Sequence, residues 1–179
     1  MNLQTDAQLE GQIPALIVDL GDEDILARQR ARLLLAHLGQ KSVPALLEAL
    51  VSENVHTRWE AVRTLGMIRD PETAPALATM LMDDDTGVRW SAMESLINLG
   101  RAALPALLEK FAKDFDSIWL RRGTHHILHV LKDRQELTEV EILFFEALDK
   151  ENRSGFESGW TSEQAFAAEK ALEALLSES

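Results

Sequence analysis

Apolar residues recur along the chain in short blocks at helical spacing, and the blocks come in pairs. The first block of each pair opens with Pro-Ala-Leu, at Pro14, Pro44, Pro75 and Pro105, in PALIVDL, PALLEAL, PALATML and PALLEKF. These prolines lie 30, 31 and 30 residues apart, a fixed period of the kind produced by stacked helical repeats. Proline is harmless in a helix's first turn, where its missing N–H would have no intrahelical acceptor, so each block predicts a helix that begins at its proline. The second block is marked by Arg28, Arg58 and Arg89, fourteen residues after the first three prolines, with alanine at +3 (Ala31, Ala61, Ala92) and leucine at +7 (Leu35, Leu65, Leu96). Positions +3 and +7 share one helical face and predict the buried seam of a second helix. In the fourth unit Arg121 stands sixteen residues after Pro105, followed by Thr124 and Leu128, which indicates a two-residue insertion.

Polar turns separate the two blocks: GDED at 21–24, SEN at 52–54, DDDTG at 83–87 and KDFDS at 113–117. Their Asp, Asn and Ser side chains suit the N-cap of the second helix. Gly39, Gly66 and Gly100 fall near the predicted close of that helix, where a left-handed residue is common. Beyond the fourth unit, Thr138 with Glu141 and Thr161 with Gln164 have capping-box spacing ahead of two further helical stretches, and NRSGFESGW between them has loop composition. In the last helix Phe166, Leu172, Leu175 and Leu176 are available to cover the open end of the stack.

These patterns predict an all-α fold, an α-α superhelix. It is a single domain over 1–179, a short solenoid of about five helical hairpins. Four repeats fall at 12–40, 42–70, 73–101 and 103–133, and a degenerate capping hairpin at 137–177. Composition agrees, with 46% apolar residues, 6% aromatic and no tyrosine. The absence of cysteine excludes disulfides, thiolate metal sites and cysteine nucleophiles. The first residues, MNLQTDAQLEGQIPALIVDL, lack the basic then apolar pattern of a secretory leader, and no apolar stretch approaches the roughly 18 residues of a membrane span, so a cytoplasmic protein without membrane contact is expected.

The unit is similar to the HEAT repeat in the short form named for phycobilisome lyases, D-x-x-V-R-x-x-A-x-x-A-L-G followed by P-A-L. The likeness covers about residues 12–133 and is strongest in TRWEAVRTLGMIRDPETAPAL at 57–77 and DDDTGVRWSAMESLINLGRAALPAL at 83–107. What the resemblance implies is a scaffold built on repeats that serve many unrelated tasks. The leading expectation is therefore a non-catalytic protein-protein interaction scaffold or assembly factor that binds another protein through the concave face formed by its second helices.

Charge sharpens that expectation. The whole chain carries −12, yet the stretches 25–38, 56–68, 88–99 and 118–131 carry +3, +1, 0 and +2. That face suits a partner with an acidic or mixed-charge surface. Arg28, Arg58, Arg89 and Arg121 are expected to form a structural ladder with turn aspartates of neighbouring units, and without them only +2 remains. Together with the net charge this argues against a nucleic-acid partner.

Candidate partner-binding residues come from the stripe at +1 and +5 from the ladder arginines: Gln29 and Leu33, Trp59 and Arg63, Trp90 and Glu94, Arg122 and His126. Trp59 and Trp90 occupy equivalent positions in adjacent units, an expected separation of about 10 Å. Two readings stand for them: exposed anchors of a binding site, or indoles folded into the groove between repeats as core. Trp119 and Trp160 are read as structural.

No catalytic residues are evident, since phosphate-loop, nucleophile-elbow and H-E-x-x-H signatures are all missing. No cofactor or metal is expected. His125 and His129, in LRRGTHHILHVLKD, have i, i+4 spacing but no evident partner carboxylate, and the His-Glu dipeptides of the HEAT-like deoxyhypusine hydroxylases are absent. A small-molecule ligand enters only through the resemblance to bilin lyases, often two-protein assemblies: an open-chain tetrapyrrole would stack on Trp59 and Trp90 with propionates near Arg63 or Arg122. The likeness to HEAT-like DNA glycosylases supplies a nucleic-acid alternative, opposed by the charge.

Overall fold

In the computed structural model the described residues are 6–153 together with 166, 169, 170, 173, 174 and 177. Among them ten α-helices run in order: α1 (Asp6–Glu10), α2 (Ile13–Asp19), α3 (Ile25–Leu38), α4 (Val43–Ala49), α5 (Val55–Ile68), α6 (Ala74–Met80), α7 (Thr86–Leu99), α8 (Leu104–Lys113), α9 (Ile118–Asp133) and α10 (Glu139–Arg153). Helices α2–α3, α4–α5, α6–α7 and α8–α9 form antiparallel-type hairpins linked by 3-10 turns at Gly39–Ser42, Pro71–Thr73 and Gly100–Ala103.

Successive second helices α3, α5, α7 and α9 pack on one another in sequence, and the first helices pair as α2 with α4 and α6 with α8. Two helical layers result, with the core between them. The +3 and +7 seam lies there, Ala31, Ala61 and Ala92 and Leu35, Leu65, Leu96 and Leu128 all being essentially inaccessible. Burial of this seam drives the stacking, because a single hairpin leaves its apolar face open and each neighbour removes it from water.

Local chemistry sets the helix starts. Each proline sits in the first turn of α2, α4, α6 or α8. Asp24, Asn54, Asp85 and Ser117 hold extended backbone and accept hydrogen bonds from amides two or three residues on, capping α3, α5, α7 and α9. The insertion in the fourth unit lengthens the first helix: α8 has 10 residues where α2, α4 and α6 have 7.

Two of the three closing glycines end their helices. Gly39 and Gly100 have φ of +58° and +62° with extended ψ, a combination that side-chain-bearing residues avoid. Gly66 is different. It lies inside α5, and Arg69 takes the left-handed closing position at φ +58°. Gly66 is instead a point of close approach between α5 and α7, where an added Cβ would stand 2.8 Å from Ser95 Cβ and 3.1 Å from its Cα.

The stack is covered at its far end by α10. Phe144, Phe145 and Leu148 are buried on α9 and α8, Phe144 meeting Phe111 edge-on at 5.2 Å. Thr138 and Glu141 form the capping box, the Thr138 amide donating to Glu141 Oε2 at 2.6 Å and the Glu141 amide to Thr138 Oγ1 at 3.5 Å. Phe166, expected in that cover, is exposed; Trp160, Thr161, Gln164, Leu172, Leu175 and Leu176 lie outside the described residues. No helix among the described residues is long and apolar enough to cross a membrane.

Candidate binding face on the second helices

The arginine ladder takes a different form from the expected one. At every repeat the guanidinium turns back on its own hairpin: Arg28 donates to the carbonyls of Asp22 and Glu23, Arg58 to Ser52 and Glu53, Arg89 to Asp83 and Asp84, and Arg121 to Phe115 and Asp116. The turn carbonyls at positions −6 and −5 have no helical donor, and a planar guanidinium satisfies both with one nitrogen. A neighbouring aspartate joins at Arg58, whose Nε and Nη2 reach Asp83 at 2.8 and 3.0 Å. Burial favours protonation of Asp83, but the Arg58 hydrogen bond, the Asp85 amide and the charges of Arg58 and Arg89 outweigh it and hold the carboxyl below its ordinary range. Arg89 instead lies over the Trp119 ring of the next repeat, 4.0 Å from its centroid.

Trp59, Arg63, Trp90 and Glu94 line one groove of about 670 Å³ between α5 and α7, floored by Gly66 and Ser95. The close approach at Gly66 is what makes the groove: two small residues bring the helices together while long side chains on either side stand up as walls. Trp59 is half-buried against the core with Arg63 stacked on its ring at 4.7 Å. Trp90 is 54% exposed. The two readings of the tryptophans therefore divide: Trp59 packs in part as core, and Trp90 projects.

Trp90 also walls a second depression of about 250 Å³, between α7 and α9, with Met93, Trp119, Arg122 and His126. Its ring lies 5.6 Å from that of His126. Six of the eight stripe residues, Trp59, Arg63, Trp90, Glu94, Arg122 and His126, thus line two depressions with Trp90 shared between them, and Gln29 and Leu33 line neither. Trp119, read as structural from its place in the fourth turn, is 45% exposed and flanked by Arg89 and Arg122.

Sequence reasoning missed Arg32 and Glu60. Glu60 is 2% exposed and its carboxylate meets Arg32 at 2.5 Å, Arg63 at 3.8 Å and Arg28 at 3.9 Å. The available signal was position: Arg32 follows Ala31 and Glu60 precedes Ala61, so each sits beside the buried seam, where a charge requires a partner. Burial lowers the Arg63 pKa below the ordinary guanidinium range, and the charge of Arg32 adds to this against the pull of Glu60.

His125 does have a carboxylate partner, contrary to expectation. It contacts Asp149 of α10 at 3.1 Å and stacks on Phe145 at 5.3 Å, while His129 faces Asp133 at 3.4 Å. Among the described residues no group of three or more His, Cys, Asp or Glu is arranged to hold a metal ion.

A two-layer helical solenoid with a grooved second-helix face belongs to the α-solenoid repeat proteins. Residues 13–97 match the HEAT repeats and residues 88–112 the PBS lyase HEAT-like repeat, so the chain carries HEAT-like repeats, with a match to the PBS lyase form at 88–112. None of the curated proteins matches the sequence. Among solved structures, a chain from the complex of CpcE and CpcF of phycocyanin lyase from Nostoc sp. PCC7120 is 23% identical with a TM-score of 0.57, over 90% of this chain and 98% of that one. An engineered protein is 17% identical with a TM-score of 0.48, over 97% of this chain and 85% of that one.

Proposed function

We propose that the chain is a non-catalytic scaffold or assembly factor that binds another protein through its second-helix face, with Trp59, Arg63, Trp90, Glu94, Arg122 and His126 in contact. The observation that carries this reading is Trp90, a large apolar ring 54% exposed on the rim between two depressions. An indole in that position is positioned to supply a protein interface's central anchor, and the charged rim around it supplies orientation. A chain of this fold stands in complex with a second protein in CpcE–CpcF, which accords with a protein partner.

The test is site-directed photo-crosslinking in cells of the native source, with a benzophenone amino acid at Glu94 on the proposed face and at Glu72 on the first-helix side. A protein captured from position 94 and not from 72 is then produced, and its affinity measured against Trp90→Ala. Weakening of at least about tenfold, equal to about 1.4 kcal/mol, supports the reading; capture from position 72 alone, or unchanged affinity, overturns it.

A lyase-type subunit that handles an open-chain tetrapyrrole is the second reading, favoured by the PBS lyase HEAT-like match at 88–112. Its signature is a shifted bilin absorption band on mixing, with the captured protein present or absent, and no shift in either case removes it.

A further inference from the structure

At the base of the groove between α5 and α7 three guanidiniums, those of Arg28, Arg32 and Arg63, surround the single buried carboxylate of Glu60, and Glu94 on the opposite wall is the groove's other negative charge, so an excess of about one positive charge remains. Arg28 is committed to its turn carbonyls. Arg32 and Arg63 remain, and both line the groove. Arg32 is 91% buried by complement of its 9% exposure, and among the described residues its bonded partner is Glu60, met through one nitrogen. A guanidinium has five N–H donors in a fixed fork, one Arg32 nitrogen meets Glu60, and Arg32 is among the residues that line the groove. The Arg63 guanidinium carbon stands over the Trp59 ring, 4.7 Å from its centroid, and Arg63 meets Glu60 only at 3.8 Å. Glu94, on the opposite wall, makes no ion pair with either arginine.

Resting on the protein-binding reading above, we propose that Arg32 and Arg63 form a carboxylate-binding subsite at the base of this groove, and that the protein partner docks an Asp or Glu side chain there beside an apolar side chain packed on Trp59 and Trp90. Charge complementarity selects the occupant. A planar carboxylate matches the guanidinium fork and supplies the second anion that three arginines around one glutamate leave wanting. The half-apolar walls favour an acidic residue next to an aromatic or aliphatic one over a run of acids, which Glu94 would repel. Nucleic acid is disfavoured by the surrounding field of a chain at −12.

The probe is the peptide amide acetyl-Leu-Glu-Phe-Leu, compared with acetyl-Leu-Gln-Phe-Leu, titrated into the full chain while the arginine Nε–H and tryptophan Nε1–H signals are followed by NMR. The glutamate peptide is expected to move Arg32, Arg63 and Trp59 and to bind about tenfold more tightly than the glutamine peptide, the usual scale of a charge-assisted contact. Arg63→Gln removes that difference while leaving the circular-dichroism spectrum unchanged, and Arg63→Lys, which keeps the charge without the fork, restores only part of it. Equal binding of the two peptides, shifts confined to other arginines, or no binding of either overturns the subsite. The crosslinked partner separates the two levels of inference. Normal affinity for Arg63→Gln with lost affinity for Trp90→Ala removes the subsite and keeps the scaffold, whereas normal affinity for both removes the face altogether.

Discussion

Replacing Glu60 by Gln removes one charge and almost no volume, which isolates electrostatics from packing. The Thr64 hydroxyl bonds the backbone carbonyl of Glu60, not its side chain, so the α5 backbone is untouched. What remains is Arg32, 9% exposed, together with Arg28 and Arg63, and no carboxylate among them. Removing one partner of a buried ion pair costs about 3–5 kcal/mol, because the other charge stays desolvated. Arg32 can send its free donors toward groove water, which places the loss near the lower end, about 3 kcal/mol. At about 2–4 °C per kcal/mol for a chain of this size, the melting midpoint falls by about 6–12 °C. Urea unfolding followed by both circular dichroism and tryptophan fluorescence is the assay, since stacked repeats can unfold stepwise and coincident curves license one free energy. In the Glu60→Gln, Arg32→Gln double variant both buried charges are gone, and a coupling of at least about 1.5 kcal/mol is expected. A loss below about 1 kcal/mol for Glu60→Gln, or additive single effects, would show that Glu60 is not the counter-charge holding the arginines.

Gly66→Ala sets helix propensity against packing: alanine gains about 1 kcal/mol in a helix interior, but its methyl meets Ser95 Cβ at 2.8 Å and Cα at 3.1 Å. Overpacking of about 1–3 kcal/mol wins, so denaturation shows a net loss, relieved by Ser95→Gly in the same chain. Asp83 is held below its ordinary value of 3.8, so its stabilising contribution is full above that value and disappears as pH falls through the lower folded value. Asp83→Asn is therefore about 1–2 kcal/mol less stable than the wild type at pH 7, and the two converge in melts across pH as the pH falls through the lowered folded value; a constant gap would refute the Arg58 pairing. In single-tryptophan variants, acrylamide quenches Trp90 more strongly than Trp59, and equal quenching would contradict their placement on rim and wall.

The scaffold was readable in the sequence because every unit repeats the same local instruction. Proline starts the first helix, a polar turn caps the second, and alanine and leucine at +3 and +7 bury the seam. Three copies of that instruction agree in full and the fourth departs only in Thr124 at +3 and in an insertion that lengthens α8, so an irregularity in one is outvoted by its neighbours. The face was legible in part. The +1 and +5 stripe lands on the second helices because angular position on a helix follows from counting alone. Gly66 falls in the closing turn of α5 as its position predicts, but its task, admitting Ser95, was not legible because it depends on a helix one repeat away.

The site's electrostatic centre was hidden for a related reason. Arg32 and Glu60 stand 28 residues apart in different repeats and at different offsets from their ladder arginines, +4 and +2. A period search averages over repeats, and so discards the residues by which one repeat differs from the next. In a solenoid those residues are where specificity must reside, since the repeated positions are already occupied in holding the stack together. Arg28, Arg58, Arg89 and Arg121 recur because every turn has the same open carbonyls. Arg32 and Glu60 do not recur, tryptophan follows the ladder arginine in two units only, and Arg32, Trp59 and Trp90 line the same groove with Glu60 paired to Arg32. A charge that breaks the repeat, beside the buried seam of a helix that otherwise obeys it, is therefore the sequence feature behind the proposed binding groove of this chain.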